Sequence, residues 1–149
     1  MASNRLGYEL FDHTADVGVR LFAPSLPELA RVAADGLYGV IGKVVPASDA
    51  VLANEPRLES FAFADSSDLA ELLRDYLAEL LLIFERDHRV VTNIEVEAFE
   101  PGRLVARGES RPVDRERSSL DREIKAVTYH GLAIRSVDGG YEATLVVDV

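Results

Sequence analysis

The stretch FDHTADVGVR, residues 11–20, joins the first two strand-like runs of the chain and concentrates polar residues at their junction. Residues 8–13 and 16–23 both alternate apolar and polar side chains, which is typical of half-buried strands. Between them stand two carboxylates, an imidazole and a hydroxyl: Asp12, His13, Thr14 and Asp16. The junction therefore predicts either a tight turn between two strands or a site that binds an ion.

Two helices are predicted from apolar residues that repeat at helical spacing. The first, SLPELARVAADGLYGVIG (25–42), begins with the capping-box spacing of Ser25 and Glu28 and ends at Gly42, a plausible C-cap. The second, DLAELLRDYLAELLLIFERD (68–87), fits a 3.6-residue period more closely than any other segment. Asp68 is one of its candidate N-caps.

The C-terminal half predicts two β-hairpins, because alternating runs flank turn-forming residues. The four runs are residues 90–100, 103–110, 124–136 and 141–149. Residues 110–123 are charged and poor in apolar side chains, and this predicts a mobile loop. Residues 1–6 are expected to form a loose N-terminal leader. The sequence thus predicts a single α+β domain over residues 1–149, with a mostly antiparallel sheet and two main helices.

Composition excludes several function classes. The 149 residues are 48% hydrophobic, which is enough for a sizeable core, and the absence of cysteine excludes disulfides and thiolate metal sites. The net charge of −10 disfavours stable binding to nucleic acid, since phosphate backbones are repelled. No signal peptide or membrane span is recognisable, so we expect a cytoplasmic protein without a membrane partner.

The last predicted strand runs to the final residue and places carboxylates there. The side chain of Asp148 stands beside the terminal carboxylate of Val149, and Asp16 joins them if its loop lies at the same end of the sheet. Two such charges about 5 Å apart repel by roughly 3 kcal/mol at an effective dielectric near 20. Protonation or a bound cation must relieve this repulsion, and clustered oxygen ligands favour hard cations.

The same residues also have structural interpretations, which the pattern alone favours. The side chain of Asp12 is of the type that closes an Asx turn, and Asp148 can be a solvent-exposed residue on the outer face of its strand. His13 and His130 can be structural histidines held by hydrogen bonds. Lys125 can be a surface lysine whose aliphatic stem covers apolar surface.

Four blocks resemble the archease family, in the family's order and over nearly the whole chain. The blocks are FDHTADVGVR (11–20), DLAELLRDYLAELLLIFE (68–85), EIKAVTYHGLAI (123–134) and VVDV (146–149). The resemblance implies a compact α+β fold with an inserted strand-helix-strand-strand module. It also implies a non-enzymatic cofactor of the GTP-dependent RNA ligase that joins 2′,3′-cyclic-phosphate or 3′-phosphate ends to 5′-hydroxyl ends in tRNA splicing and RNA repair. Such proteins promote guanylylation of the ligase and its multiple turnover.

The resemblance further implies a divalent metal, usually calcium, with magnesium or manganese as alternatives. Carried onto this sequence, the family's metal ligands fall on Asp16, Asp148 and the carboxylate of Val149. These are the residues that the charge argument brings together independently, so the metal site becomes the favoured interpretation.

Asp12, His13, Lys125 and His130 lie in the signature blocks and are candidates for ligase activation, with Lys125 foremost. The chain departs from the family in the loop before KAVTYH, where many archeases carry a histidine and Ser118 stands near that place. A role that depends on that imidazole is therefore in doubt here.

Two other function classes stay open. One is a small metal-dependent phosphohydrolase that uses Asp12, Asp16, Asp148 and His13, although no nucleophile motif accompanies them. The other is a general chaperone-like binding module that uses the charged loop.

Overall fold

The computed structural model describes residues 5–13, 16–48, 56–128 and 132–149. The helices within these segments are α1 (Leu26–Ile41) and α2 (Leu69–Asp87). The strands are β1 (Gly7–His13), β2 (Asp16–Ala23), β3 (Gly42–Lys43), β4 (Arg57–Phe63), β5 (Arg89–Glu100), β6 (Arg103–Pro112), β7 (Ser119–Leu120), β8 (Ala126–Val127), β9 (Ala133–Val137) and β10 (Gly140–Asp148).

The first sheet has the strand order β1-β2-β10-β8, and β9 also pairs with β10. All of these pairings are antiparallel, as predicted. One face carries the alternating apolar residues of β2 and β10, including Val19, Leu21, Leu145 and Val147, which are at most 1% exposed. Helix α1 packs on this face against β1 and β2. The other face of the sheet therefore carries the polar residues of the same strands.

Helix α1 begins and ends where its sequence predicts. The Ser25 hydroxyl accepts a hydrogen bond from the Glu28 N–H at 3.3 Å, which satisfies one free donor of the first turn. Gly42 ends the helix with a φ of 140°, a backbone conformation that favours glycine. Since α1 follows β2 directly, its C-terminal end returns toward the start of that strand.

Strands β4, β5 and β6 form a second sheet in the order β4-β6-β5, and α2 connects β4 to β5. This confirms the predicted strand-helix-strand-strand module. The carboxylate of Asp68 caps α2 by accepting the Ala70 N–H at 2.9 Å. The buried ring of Tyr76 packs edge-on against Phe61 at a centroid distance of 5.3 Å, and both residues belong to the core that the module shares with the first sheet.

Two predicted boundaries in the C-terminal half are wrong. Within the described part of residues 124–136, two strands, β8 and β9, replace the predicted single strand, and β9 forms the predicted hairpin with β10. The loop predicted over residues 110–123 is not loop throughout: β6 continues to Pro112, and β7 pairs with β3. These short pairings depend on partners far away in sequence and leave no periodic pattern.

The segment 110–123 is held by several hydrogen bonds. Ser118 accepts the Val45 N–H through its hydroxyl at 2.8 Å, and the Asp121 N–H donates to the Ile41 carbonyl at 2.7 Å. Its mobility stays a prediction. Of the predicted leader, residues 1–4 lie outside the described residues, and Arg5 pairs with Glu9 at 2.6 Å. Neither helix of the described segments has the length and apolarity needed to cross a membrane.

Candidate functional site

The ends of four strands, β1, β2, β10 and β8, lie together at one end of the first sheet, where most of the predicted site residues are found. The β1–β2 register sets His13 opposite Asp16, and the β2–β10 register sets Asp16 opposite Asp148. Ala126 of β8 lies on the other side of Asp148. Directly opposed residues of antiparallel strands have Cα atoms about 4.5–5.5 Å apart and side chains on the same face. The side chains of Asp16 and Asp148, the carboxylate pair, therefore leave the sheet next to each other.

The carboxylate pair lies on the face of the sheet that is turned away from α1. The neighbouring residues Val17 and Val147 are buried in the core on the opposite face, and the strand alternation directs Asp16 and Asp148 outward. Both carboxylates are half-buried. Like charges directly opposite each other destabilise a strand pair, so a bound cation would relieve the repulsion between these two side chains.

Val149, the third predicted ligand, follows Asp148 directly. Its side chain is partly buried and packs against the core, which holds its main chain beside Asp148. Within the described segments, no group of three or more His, Asp or Glu side chains is placed to hold a metal ion. A cation at the carboxylate pair would thus need ligands of another kind, and the carboxylate of Val149 would be one. A donor set made only of oxygen atoms suits a hard divalent cation.

Lys125 is attached directly to this strand end. Its N–H donates to the Asp148 carbonyl at 2.7 Å, while its side chain is exposed. Helix α2 supports the same segment, because the Arg74 Nε donates to the Val127 carbonyl at 3.1 Å. The fold thus places a lysine beside the carboxylate pair, although 109 positions separate residue 16 from residue 125 in the sequence.

The remaining predicted residues are placed differently. Asp12 is exposed and lies opposite Val17 in the β1–β2 register, so its side chain leaves the face opposite to that of the carboxylate pair. The backbone of His13 lies beside Asp16, and His130 lies outside the described residues.

An apolar row that the sequence pattern does not predict lies next to the carboxylate pair. Phe11, Gly18 and Val146 are opposed on β1, β2 and β10, and they share the face of Asp16 and Asp148. The far end of the Phe11 ring occupies the space that a Cβ atom on residue 18 would need. A glycine inside a strand is the sequence signal that could have indicated this close approach.

A cavity of about 660 Å³ lies elsewhere, between α1, β5 and Tyr8, and none of the predicted site residues that the structure describes lines it. Burial raises the pKa of Tyr38, one of its lining residues, to about 12. The Tyr38 hydroxyl accepts the Val91 N–H of β5 at 3.0 Å. Burial also raises the pKa of Asp35, against the opposing effect of Arg31, whose guanidinium lies 3.9 Å away. The Tyr38 hydroxyl thus joins α1 to β5, whereas Arg31 and Asp35 pair within α1.

Comparison with known proteins identifies the family. The sequence model of the archease protein family matches residues 8–149. The chain belongs to the archease family. The protein archease of Methanopyrus kandleri is 37% identical over 147 residues, which cover 95% of this chain and 99% of that protein. The protein archease of Methanosarcina acetivorans is 35% identical over 158 aligned positions, which cover 100% of both chains.

Solved structures agree with the archease fold. The solution structure of Methanobacterium thermoautotrophicum protein 1598 is 28% identical, with a TM-score of 0.66, and covers 96% of this chain and 99% of that one. The crystal structure of an archease from Thermotoga maritima, described as a possible chaperone, has a TM-score of 0.69 over 95% of this chain and 96% of that one. At 19% identity the latter supports the fold alone. The predicted family and α+β fold are thus confirmed.

Proposed function

We propose that this archease is a non-enzymatic protein cofactor that activates a GTP-dependent RNA ligase. The ligase joins 2′,3′-cyclic-phosphate or 3′-phosphate RNA ends to 5′-hydroxyl ends in tRNA splicing and RNA repair, and the archease promotes its guanylylation and multiple turnover in the cytoplasm. Membership of the archease family supports the partner. The observation that carries the site is the register that sets Asp16 opposite Asp148.

The proposal includes a divalent cation, calcium first and magnesium or manganese as alternatives. Its ligands would be the carboxylate pair and the carboxylate of Val149, whose charges repel one another when no cation is present. When bound, such a cation supplies positive charge that can neutralise charge developing on a phosphate group.

The protein's own contribution is to hold these groups in place before the partner binds. Strand pairing fixes the spacing of Asp16 and Asp148, so little conformational entropy is lost when they engage a ligand. Lys125 is exposed beside Asp148, where its ammonium group can contact a phosphate or an acidic side chain of the ligase. Asp12, on the opposite face, would contact the ligase from a different direction.

The negative charge of the chain favours a protein partner over RNA. At −10, the domain is repelled by phosphate backbones and attracted to basic protein surfaces. We therefore place the contact on the ligase, near its guanylylation site, without stable binding of the archease to the RNA itself.

Assays with and without the cognate ligase test this function. The archease alone should neither join RNA nor hydrolyse GTP, whereas with ligase, GTP and a divalent ion it should speed formation of the ligase–GMP adduct. Phosphate release by the archease alone would contradict the proposal in favour of a phosphohydrolase. Protection of unrelated unfolded proteins without any effect on guanylylation would contradict it in favour of a general chaperone.

A further inference from the structure

The apolar row beside the carboxylate pair is held in an unusual way. Phe11 reaches from β1 across Gly18 of β2, and the ring atoms nearest to Gly18 are those farthest from the Phe11 backbone. The ring therefore lies along the row, across the strands, rather than standing up from the sheet. Only a residue without a Cβ atom at position 18 permits this placement.

The apolar row lies directly next to the carboxylate pair on the same face of the sheet. Gly18 is two residues after Asp16 on β2, and Val146 is two residues before Asp148 on β10. Val146 is only 2% exposed although it shares the outward face of the pair. The sheet surface immediately next to the two carboxylates is thus apolar and, at Val146, closed to water.

On the other side of the apolar row, the positively charged side chain of Arg20 contacts Phe11. The Arg20 guanidinium lies 4.9 Å from the centroid of the Phe11 ring and 3.6 Å from a carboxylate oxygen of Glu9. Cation–π attraction holds a guanidinium over such a ring. The positive charge on the outward face of β2 is consequently directed toward Phe11 and Glu9 rather than toward Asp16.

We propose that Phe11, whose ring lies over Gly18, is a positioning residue for cation binding by the carboxylate pair. Its ring excludes water from one side of the pair and holds Arg20 away from it. This inference rests on the metal site of the proposed function. Coulomb attraction grows as the local dielectric falls, and an apolar shell around a site lowers that dielectric. The ring thus strengthens the attraction between the pair and a hard divalent cation without touching the cation.

Calorimetric titration with Mn²⁺ and with Ca²⁺ tests the inference, with thermal unfolding as a check on folding. Phe11→Ala should weaken the affinity about tenfold, the scale of changes in the surroundings of a metal site. Phe11→Leu keeps an apolar side chain over Gly18 and should recover most of the affinity. Gly18→Ala should weaken binding by displacing the ring, but should add little in the Phe11→Ala background, where no ring remains to be displaced.

A matched control is available on the same face of the same sheet. Phe22 of β2 is also an aromatic residue under a guanidinium, with Arg5 3.6 Å from its ring centroid, but it lies six residues from Asp16. Phe22→Ala should leave the affinity unchanged even if it lowers the melting temperature. An equal loss of affinity in Phe22→Ala and Phe11→Ala would show a general effect on folding and would overturn the inference.

Failure of this inference differs from failure of the metal site itself. If Phe11→Ala binds both ions as tightly as wild type while Asp16→Asn binds neither, the pair holds metal without help from the ring and the inference is wrong. If the wild-type protein binds neither ion, the proposed metal site is wrong and the inference falls with it.

Discussion

Replacing Asp16 by asparagine should stabilise the metal-free protein. The change keeps the size of the side chain and removes one of two charges that the β2–β10 register sets opposite each other. At about 5 Å and an effective dielectric near 20, their repulsion is about 3 kcal/mol. Because both side chains are only half-buried, water screens the pair and about 1 kcal/mol is the realistic gain. For a domain of this size that raises the melting temperature by about 2–4 °C.

The same substitution should have the opposite consequence when a divalent cation is present. At a free Ca²⁺ concentration 100 times the dissociation constant, binding to the native state alone adds about 2.7 kcal/mol to the stability of wild type. That corresponds to a melting temperature higher by about 5–11 °C. Asp16→Asn, having lost a ligand, should show little of this shift, and Asp148→Asn should behave in the same way.

Differential scanning calorimetry in chelator and in Ca²⁺ or Mn²⁺ measures both effects. Asp65→Asn is a suitable control, since Asp65 is an exposed carboxylate in the bend before α2, and it should change neither value. High salt should shrink the stabilisation of the metal-free variant by screening the charges. A metal-free Asp16→Asn protein less stable than wild type, or one that keeps the full metal-dependent shift, would refute the reasoning.

Three further predictions concern single contacts. Adding residues after Val149 converts its carboxylate to an amide and should weaken Ca²⁺ binding in calorimetry, whereas Val149→Leu should not; equal affinities would remove this carboxylate from the site. Tyr38→Phe leaves the Val91 N–H without its acceptor and should cost about 1–3 kcal/mol in urea unfolding. Because the pKa of Tyr38 rises from 10.0 to about 12 on folding, its stabilising contribution is full below pH 10 and is lost as the pH rises through 12, so the deficit of the variant should narrow there. Ser118→Ala removes the acceptor of the Val45 N–H, so hydrogen exchange of that amide should accelerate; unchanged exchange would show that the hydroxyl does not protect it.

The helices were predictable because local sequence determines their ends. Ser25 and Asp68 have side chains that satisfy the first free N–H groups, and Gly42 accepts a backbone conformation that other residues avoid. The short strand β7 was not predictable, because two residues carry no alternation, and β8 was predicted only as part of a longer strand. Ser119–Leu120 becomes a strand only because Gly42–Lys43 lies beside it in the fold.

The site was predictable in composition but not in register. Alternation placed Asp148 on the outward face of the last strand, yet it could not say which residue of the second strand lies opposite. The antiparallel pairing of β2 with β10 joins the two ends of the chain, and only the structure gives the partnership of Asp16 with Asp148. The β1–β2 register places Asp12 on the other face, which a count of acidic residues near the turn does not reveal.

The most direct test of the account is the rate of ligase guanylylation in a single turnover, measured with GTP and a divalent ion. The wild-type archease should raise the rate at which the ligase–GMP adduct forms, and Asp65→Asn should raise it equally. Asp16→Asn and Asp148→Asn should fold normally and give little or no stimulation. Full stimulation by both of these variants would contradict the claim that the carboxylate pair is the functional centre of this protein.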